Sequence, residues 1–405
     1  MIRARLAPLV CAIVFAGFTG LAGVAHAQKA DAVRPEVGKP LQAANAFVKQ
    51  RKGREALAEV AKAEAVPNRT AHENFLISQM RGSASVLAGD NDGAIKAFEA
   101  VLGSGRVSGK EAAGMVQAVA VAYYQKKDYA NSAKWTQRYF KEGGSDPAMK
   151  TVLLQSYYLG NDCPAVQKML AAADEGSKRA SEEELQILAN CFLRSKDNTG
   201  YVNTIEKLVV HYPKKEYWTD LLSRVQKKSG FSDRLGVDVY RLRFATGNAG
   251  TSADYMEMAQ LAMQQGNPAE AKIFIDKGYA AGVLGKGAEA ERHERLRKLV
   301  TKTLEDAQKS RAQDEKDAEA SKDGNAQVAL GLAYVYEGNA AKGIPLIDAG
   351  IKKGGLKRPE DAKLRYGEAL LHAGRKEQGV KVLREVKGTD GTADVARLWV
   401  LHARV

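Results

Sequence analysis

Two cysteines, Cys163 and Cys191, are the residues of this chain best suited to covalent chemistry. The third, Cys11, lies in an N-terminal apolar stretch, so an even pair remains, which predicts a disulfide in an oxidising compartment. Cys163 begins one apolar helical segment and Cys191 lies near the end of the next. Because antiparallel helices place the start of one beside the end of the next, we expect the two side chains to meet. Two buried free thiols are the alternative.

The other reactive residue types form no catalytic or metal-binding pattern. The histidines after residue 27 have no metal-ligand spacing to one another or to the cysteines. They are His72, His211, His293, His372 and His402. His293 has Glu289 and Arg297 at helical spacing, which indicates a solvated charged face. The GxSxG, HExxH and GxxxxGK[ST] patterns are missing from the sequence. We therefore predict a protein that is not an enzyme, with no catalytic residue, metal or cofactor.

Two further clusters have structural interpretations. Ser181 precedes three glutamates, which predicts a helix N-cap with acids in the first turn, where the helix dipole favours them. The glycine-rich segment 282–287 follows no strand, and its lysine is not followed by Ser or Thr. It is therefore predicted to be a loop between helices.

Residues 1–27 resemble a secretory signal peptide. Arg3 and Arg5 give a positive start, an apolar stretch follows, and Ala25-His26-Ala27 supplies the small-x-small pattern of a cleavage site. We predict cleavage between Ala27 and Gln28. The mature chain is then exported, which in a bacterium means a periplasmic location. No later segment has the roughly 20 consecutive apolar residues of a transmembrane helix.

The net charge is +13, and it falls to +11 when the two arginines of the signal peptide are removed. This excess either reflects lysines and arginines spread over solvated helix faces or attracts an anionic envelope polymer, such as lipopolysaccharide or a polyanionic glycan. Nucleic acid is not an expected partner, because the sequence contains no compact basic run interleaved with aromatic residues.

The sequence contains a repeat of about 36 residues, which predicts the helices that position the candidate residues named above. In its clearest copy, residues 330–350, Gly331 precedes Tyr334, a turn follows at Gly338, and Gly343 begins the next apolar segment. The residue after each turn can be aligned along the chain. The aligned positions are Ala56, Ala94, Ser132, Ala165, Gly200, Leu235, Ala271, Gly343 and Gly379. The gap of 72 residues after Ala271 is twice the repeat, which predicts a hairpin with a hidden signature near residues 286–324.

Apolar residues between the turns recur at three and four positions, which is the period of a helix, and strand patterns are nearly absent. The prediction is an all-α protein, a right-handed α-solenoid of antiparallel helix hairpins. Small residues recur after the turns because the two helices of a hairpin cross closely there.

The pattern resembles the tetratricopeptide repeat (TPR) family over most of residues 41–386, and residues 326–355 also resemble Sel1-like repeats. The resemblance implies that partner peptides dock in a concave groove lined by the first helix of each hairpin. The groove positions it implies are Gln79, Gln117, Tyr124, Val335, Tyr336 and Glu368. The alternative for Tyr124 and Tyr336 is packing against the next hairpin.

We predict four segments along the chain. They are a signal peptide (1–27), an N-terminal TPR-like solenoid (28–285), a charged helical segment or arm (286–323) and C-terminal repeats with a capping helix (324–405). The charged segment is either a solvated projecting helix or a mobile linker. Two functions fit: a scaffold that binds proteins or peptides in the cell envelope, and a carrier of an anionic envelope polymer.

Overall fold

The computed structural model describes residues 32–173 and 179–405, so the predicted signal peptide and its cleavage site at Ala27 and Gln28 lie outside the described residues. The described part consists of α-helices joined by turns and one short 3-10 helix, with no strand. The chain forms an all-α solenoid of helical hairpins, as predicted. It divides into two compact units, Met1–Tyr201 and Val202–Val405.

The first unit is a run of helices in which sequence neighbours pack together. They are α1 (Pro35–Lys49), α2 (Gly53–Glu64), α3 (Ala71–Ala88), α4 (Asn91–Gly103), α5 (Gly109–Gln125), α6 (Tyr129–Lys141), α7 (Pro147–Leu159), α8 (Cys163–Ala173) and α9 (Glu182–Arg194). Helix α10 (Asn198–His211) contains the boundary between the units. First helices of successive hairpins also touch, as α1 touches α3 and α5 touches α7.

The second unit begins within α10 and ends with a capping helix. Its other elements are α11 (Lys215–Gln226), the 3-10 turn Asp233–Leu235, α12 (Gly236–Ala245), α13 (Ser252–Gln264), α14 (Pro268–Ala280), α15 (Ala290–Ala320), α16 (Asn325–Tyr336), α17 (Ala340–Lys353), α18 (Pro359–His372), α19 (Lys376–Arg384) and α20 (Thr392–His402). Helix α20 packs on α18 and α19 and also contacts α12, near the start of the unit.

The same backbone turn closes most hairpins. One residue adopts a positive φ, and the residue after it caps the second helix. Glycine is suited to the first position, but Lys127 and Asn161 occupy it with φ of 63° and 62°. The cap is usually Asp or Asn, as at Asp90, whose side chain accepts a hydrogen bond from the backbone N–H of Gly93. The recurring turn therefore sets the period that is visible in the sequence.

Hairpins cross closely where the sequence places glycine. A Cβ built on Gly331 lies 2.6 Å from Cγ1 of Ile347 and 2.7 Å from the carbonyl oxygen of Gly343, on the facing helix. Gly338 has a different requirement: nothing lies within 4 Å of its Cβ position, but its φ is +88°. Contact explains the first glycine, and backbone conformation explains the second.

The two cysteines of the first unit form a disulfide, as predicted. Cys163 and Cys191 have a Cα–Cα distance of 5.1 Å and join α8 to α9. Both are buried in a cluster with Val166 and Ile187. The N-cap prediction at Ser181 is also confirmed: its hydroxyl accepts from the backbone N–H of Glu184, and the Glu184 carboxylate accepts from the backbone N–H of Ser181.

Residues 286–323 do not divide the chain, and the hidden hairpin is not formed. The interval contains one continuous helix, α15, of 31 residues inside the second unit. A turn residue with positive φ is missing from Ala290–Ala320, so nothing ends the helix at the expected turn. Within α15, Leu299 is 54 % exposed, whereas Val300 is buried.

The charged half of α15 is docked rather than projecting. Ala318 is buried against Leu330 and Tyr334. The guanidinium of Arg311 lies 5.2 Å from the ring centroid of Tyr334, whose hydroxyl donates to the carboxylate of Glu315. Two charged side chains of this segment, Arg311 and Glu315, thus contact one aromatic side chain of α16. Within the described residues, none of the helices has the length and apolar content to cross a bilayer.

We predict that Gly331→Ala destabilises the second unit by about 1–3 kcal/mol, because the new methyl group overpacks the contact with Ile347. Gly236→Ala is the matched control: the one atom near its Cβ position lies at 4.0 Å, so we expect no loss and a gain of up to about 1 kcal/mol. Urea unfolding followed by circular dichroism measures both. Equal midpoints for the two variants would contradict the contact.

Reduction of the disulfide is predicted to destabilise the first unit. Closing a loop with a separation of 28 residues stabilises by about 3–4 kcal/mol in the chain-entropy estimate. Urea midpoints with and without dithiothreitol measure the loss. The variant carrying both Cys163→Ala and Cys191→Ala is the control, and its midpoint should not respond to the reductant. If the urea midpoint of the wild type is the same with and without dithiothreitol, the disulfide does not stabilise the unit.

Candidate functional site

The predicted groove residues of the first unit connect successive first helices. The Gln79 amide, only 8 % exposed, donates to Glu111 over 3.4 Å. Gln117 on α5 donates to the carboxylate of Asp146, the N-cap of α7, over 3.0 Å. The Tyr124 hydroxyl donates to Gln155 of α7 over 2.8 Å. These residues share one face of the first helices, and Gln117 and Tyr124 are half-buried there.

Val335 is not at a groove surface, which corrects the prediction. It is 1 % exposed and belongs to the core between α16, α17 and α18. The physical reason is the hairpin contact: a Cβ on Gly343 lies 2.8 Å from Cγ2 of Val335, so this side chain fills the space that glycine leaves.

Tyr336 and Glu368 line one cavity in the second unit, with a volume of about 570 Å³. Helices α12, α14, α18 and α20 provide most of its walls. Its larger apolar side chains include those of Phe244, Ile273, Phe274, Leu371 and Trp399. Exposed His372 and Lys376 lie at the rim, where α18 ends and α19 begins. Two of the six predicted groove positions therefore meet at the same site.

A buried ion cluster forms the base of the cavity. Arg241 of α12 is 6 % exposed and donates from Nε and Nη2 to the two carboxylate oxygens of Glu270, each over 2.6 Å. Its Nη1 also donates to Asp238 over 2.5 Å and to Glu368 over 3.4 Å. Arg365 adds a second guanidinium, bidentate to Asp238 at 3.1 and 3.2 Å. A paired guanidinium offsets the cost of burying these carboxylates.

This cluster is part of a ladder, that is, a series of ion pairs that joins two segments of the unit. One segment is α18, and the other is α12 together with the 3-10 turn before it. Arg234, Asp238 and Arg241 face Asp361, Arg365 and Glu368, and each pair is separated by 127 residues. Arg234 is bidentate to Asp361 at 2.8 and 2.9 Å. The sequence prediction missed this site. The sequence does contain a signal for it. Both triplets have the spacing i, i+4, i+7, and the charges of one triplet are opposite in sign to those of the other, so two helix faces carry complementary charges.

The protonation of the cluster follows from burial and charge. Burial raises the pKa of Glu368 well above its usual range, and the charge of Asp238 raises it further. Burial lowers the pKa of Arg241, but the charges of Glu270 and Asp238 and the hydrogen bond to Glu270 together raise it well above its ordinary value, so the guanidinium keeps its proton. Burial also raises the pKa of Tyr336, whose hydroxyl stays protonated. The base therefore presents a hydroxyl and a carboxyl group beside two paired cations.

The rim contains a neutral histidine. Burial, followed by the positive charge of Lys376, lowers the pKa of His402. Its ring packs edge-on to Trp399 with centroids 5.7 Å apart. His372, by contrast, is exposed, with its ring 5.4 Å from that of Tyr336.

His293 corrects another prediction. It is 4 % exposed rather than solvated, and its Nδ1 accepts a hydrogen bond from the backbone N–H of Gly285 over 3.1 Å. It fixes the glycine-rich segment 282–287, which is a loop, as expected. Among the described residues, no group of three His, Cys, Asp or Glu side chains is arranged to hold a metal ion.

Two stretches of the chain match a known sequence family, at residues 80–147 and 328–394. Both match the tetratricopeptide repeat. The first TPR-like stretch runs from the middle of α3 to the start of α7, and the second runs from the first turn of α16 to the start of α20. Repeats of this family generally mediate protein–protein interactions. The Sel1-like resemblance stays a prediction.

Among solved structures, the chain is similar to the crystal structure of the yeast Tom70, with 12 % identity, 91 % of this chain and 95 % of that chain covered, and a TM-score of 0.26. At this TM-score the similarity carries no argument about function. None of the curated proteins matches the chain in sequence.

We predict that Glu368→Gln becomes more stable than the wild type as the pH rises. A raised folded-state pKa gives stability that is present below the unfolded value of about 4.5 and lost as the pH rises through the folded value. The neutral amide keeps the shape without that loss. Urea midpoints at pH 5 and pH 8 measure the difference, which should grow with pH.

The control for this experiment is Glu270→Gln, which breaks the bidentate pair with Arg241. We expect it to destabilise the second unit at both pH values, because it leaves a buried guanidinium with weaker partners. A Glu368→Gln variant that loses stability at pH 8 would contradict the assignment of Glu368 as the surplus carboxyl of the cluster.

Proposed function

We propose that this protein is a non-enzymatic scaffold that is exported to the periplasm and binds partner proteins or peptides in envelope assembly, secretion or maintenance. The single observation that supports it best is the face shared by the first helices of the first unit. There, Gln117 and Tyr124 lie side by side on α5, half-buried, within a stretch that matches the tetratricopeptide repeat.

The chemistry of this face suits a peptide. Amide groups such as that of Gln117 pair with a peptide backbone, and a tyrosine ring supplies contact area with little loss of side-chain freedom. Hydrogen bonds to α7 hold both side chains in place before a partner arrives, which lowers the entropic cost of binding. The proposed groove is therefore pre-organised.

The proposed location rests on two properties of the chain. Residues 1–27 have the pattern of a cleaved export signal, and the Cys163–Cys191 bridge suits an oxidising compartment. Fractionation of cells that express the full chain tests the location directly. Retention of the uncleaved chain in the cytoplasm would contradict it.

Site-specific photo-crosslinking tests the scaffold. A photoreactive amino acid at position 117 or 124 is expected to give covalent adducts with one or a few envelope proteins. The control is position 134, an exposed lysine on α6, the second helix of the same hairpin, which should not give these adducts. An apolar and hydrogen-bonded interface should keep the adducts when the salt concentration is raised before irradiation.

Other outcomes separate the alternatives. Equal adducts at positions 117 and 134 would mean that the first-helix face is not selective. Loss of all adducts at modest salt, with recovery of glycan or lipopolysaccharide on the purified chain, would instead identify an anionic polymer held by the net charge of +11 after signal removal.

A further inference from the structure

The cavity of the second unit has the properties of a small-molecule site rather than of an open peptide groove. Its volume of about 570 Å³ lies within the range of ligand cavities, roughly 300–1,000 Å³. Aromatic and aliphatic side chains dominate its walls, among them Phe244, Phe274 and Trp399. A hydrocarbon or aryl group would be removed from water there, which is the main source of affinity for such ligands.

Three polar groups that line the cavity have no hydrogen-bond partner among the described residues: the Tyr336 hydroxyl, the indole Nε1 of Trp399 and Oε1 of Glu368. Because burial raises the pKa of Glu368 well above its usual range, its carboxyl group carries a proton and can also donate. The Tyr336 hydroxyl makes no hydrogen bond to any described residue, and its pKa is raised by burial, so it keeps its proton. The indole Nε1 of Trp399 is buried and has no acceptor among the described residues. A buried donor without an acceptor, such as the Trp399 indole, costs free energy, and a ligand oxygen would recover it.

The charges around the cavity also favour an acceptor. At the base, Arg241 is already paired with Glu270 and Asp238. At the rim, Lys376 is exposed and forms no ion pair within the part of the chain that is described. Its charge reaches the cavity, because it lowers the pKa of His402. Lys376 therefore adds a positive charge at the mouth. At the base, Arg241 and Arg365 balance Glu270 and Asp238, and burial raises the pKa of the third carboxyl group, Glu368, so that it holds a proton.

We propose that this cavity binds a small apolar carboxylate. Its hydrocarbon part would lie against Phe244, Phe274 and Leu371. Its carboxylate would accept hydrogen bonds from Tyr336 and Trp399 and be attracted by Lys376. An amine of the same length would be repelled by Lys376, and an alcohol would gain the apolar contact without the charge. The proposal does not depend on peptide binding by the first unit.

Calorimetric titration of the full chain with octanoate, octan-1-ol and octylamine tests the ligand class. All three bury the same alkyl chain, so differences in affinity report on the head group. We expect octanoate to bind most tightly and octylamine least tightly. Octylamine binding as tightly as octanoate would overturn the assignment to carboxylates, and the absence of binding by all three would overturn the site.

Substitutions at the cavity locate the binding. Ala245 lines the cavity and is exposed, so Ala245→Trp should fill the space and abolish octanoate binding. Ala280→Trp on α14 is the matched control, because Ala280 is exposed and lies outside the cavity lining. Unchanged octanoate affinity in a folded Ala245→Trp variant would place the ligand elsewhere.

A second pair of variants isolates the charge and does not disturb packing. Lys376→Gln should weaken the binding of octanoate about two- to fivefold, as expected for a partly exposed ion pair. It should leave the affinity for octan-1-ol unchanged. Lys381→Gln, an exposed residue of the same helix outside the lining, should change neither. Equal weakening of acid and alcohol by Lys376→Gln would contradict a carboxylate at the rim. The comparison of Lys376→Gln with Lys381→Gln tests the proposed carboxylate site even if Ala245→Trp fails to fold.

Discussion

The fold depends on a constraint of the backbone at most hairpin turns. One residue must take a positive φ and the next must cap a helix, as in the pair Lys127 and Asp128. This turn fixes where the second helix starts, and therefore which of its residues meets the first helix at the crossing. A small residue is needed there, such as Ser132, whose hydroxyl donates to the carbonyl oxygen of Ala120. Turn and crossing together impose the repeat on the sequence.

The second unit adds long-range electrostatics to this local rule. Its cavity lies beside α12 and α18, which are joined by ion pairs in which Arg241 reaches three carboxylates. Guanidinium pairs keep two helices aligned but do not fill space as leucines would. The space left beside them is bounded by the aromatic residues of α14 and α20. An ion cluster and a cavity are thus two aspects of one packing arrangement.

Local patterns in the sequence were sufficient to predict the helices, most turns, the close crossings and the disulfide. Prediction failed where the decisive contacts are distant in sequence or where a signal is missing. Val335 has the right position for a groove, but Gly343 opposite leaves room that it fills. The hidden hairpin was inferred from spacing alone, yet α15 has no turn residue to interrupt it. The Arg241 cluster joins residues 127 apart, beyond any repeat-scale pattern.

The ladder between α12 and α18 also limits how this protein can evolve. Repeat proteins commonly lengthen by duplication of a unit, because each hairpin contacts only its neighbours. Here, a hairpin of about 36 residues inserted between Arg241 and Glu368 would move the two triplets out of register and leave buried charges without partners. The first unit has no such tie among its described ion pairs and remains free to gain or lose hairpins. The second unit is therefore fixed in length, and variation in its partners or ligands must come from substitutions around the cavity.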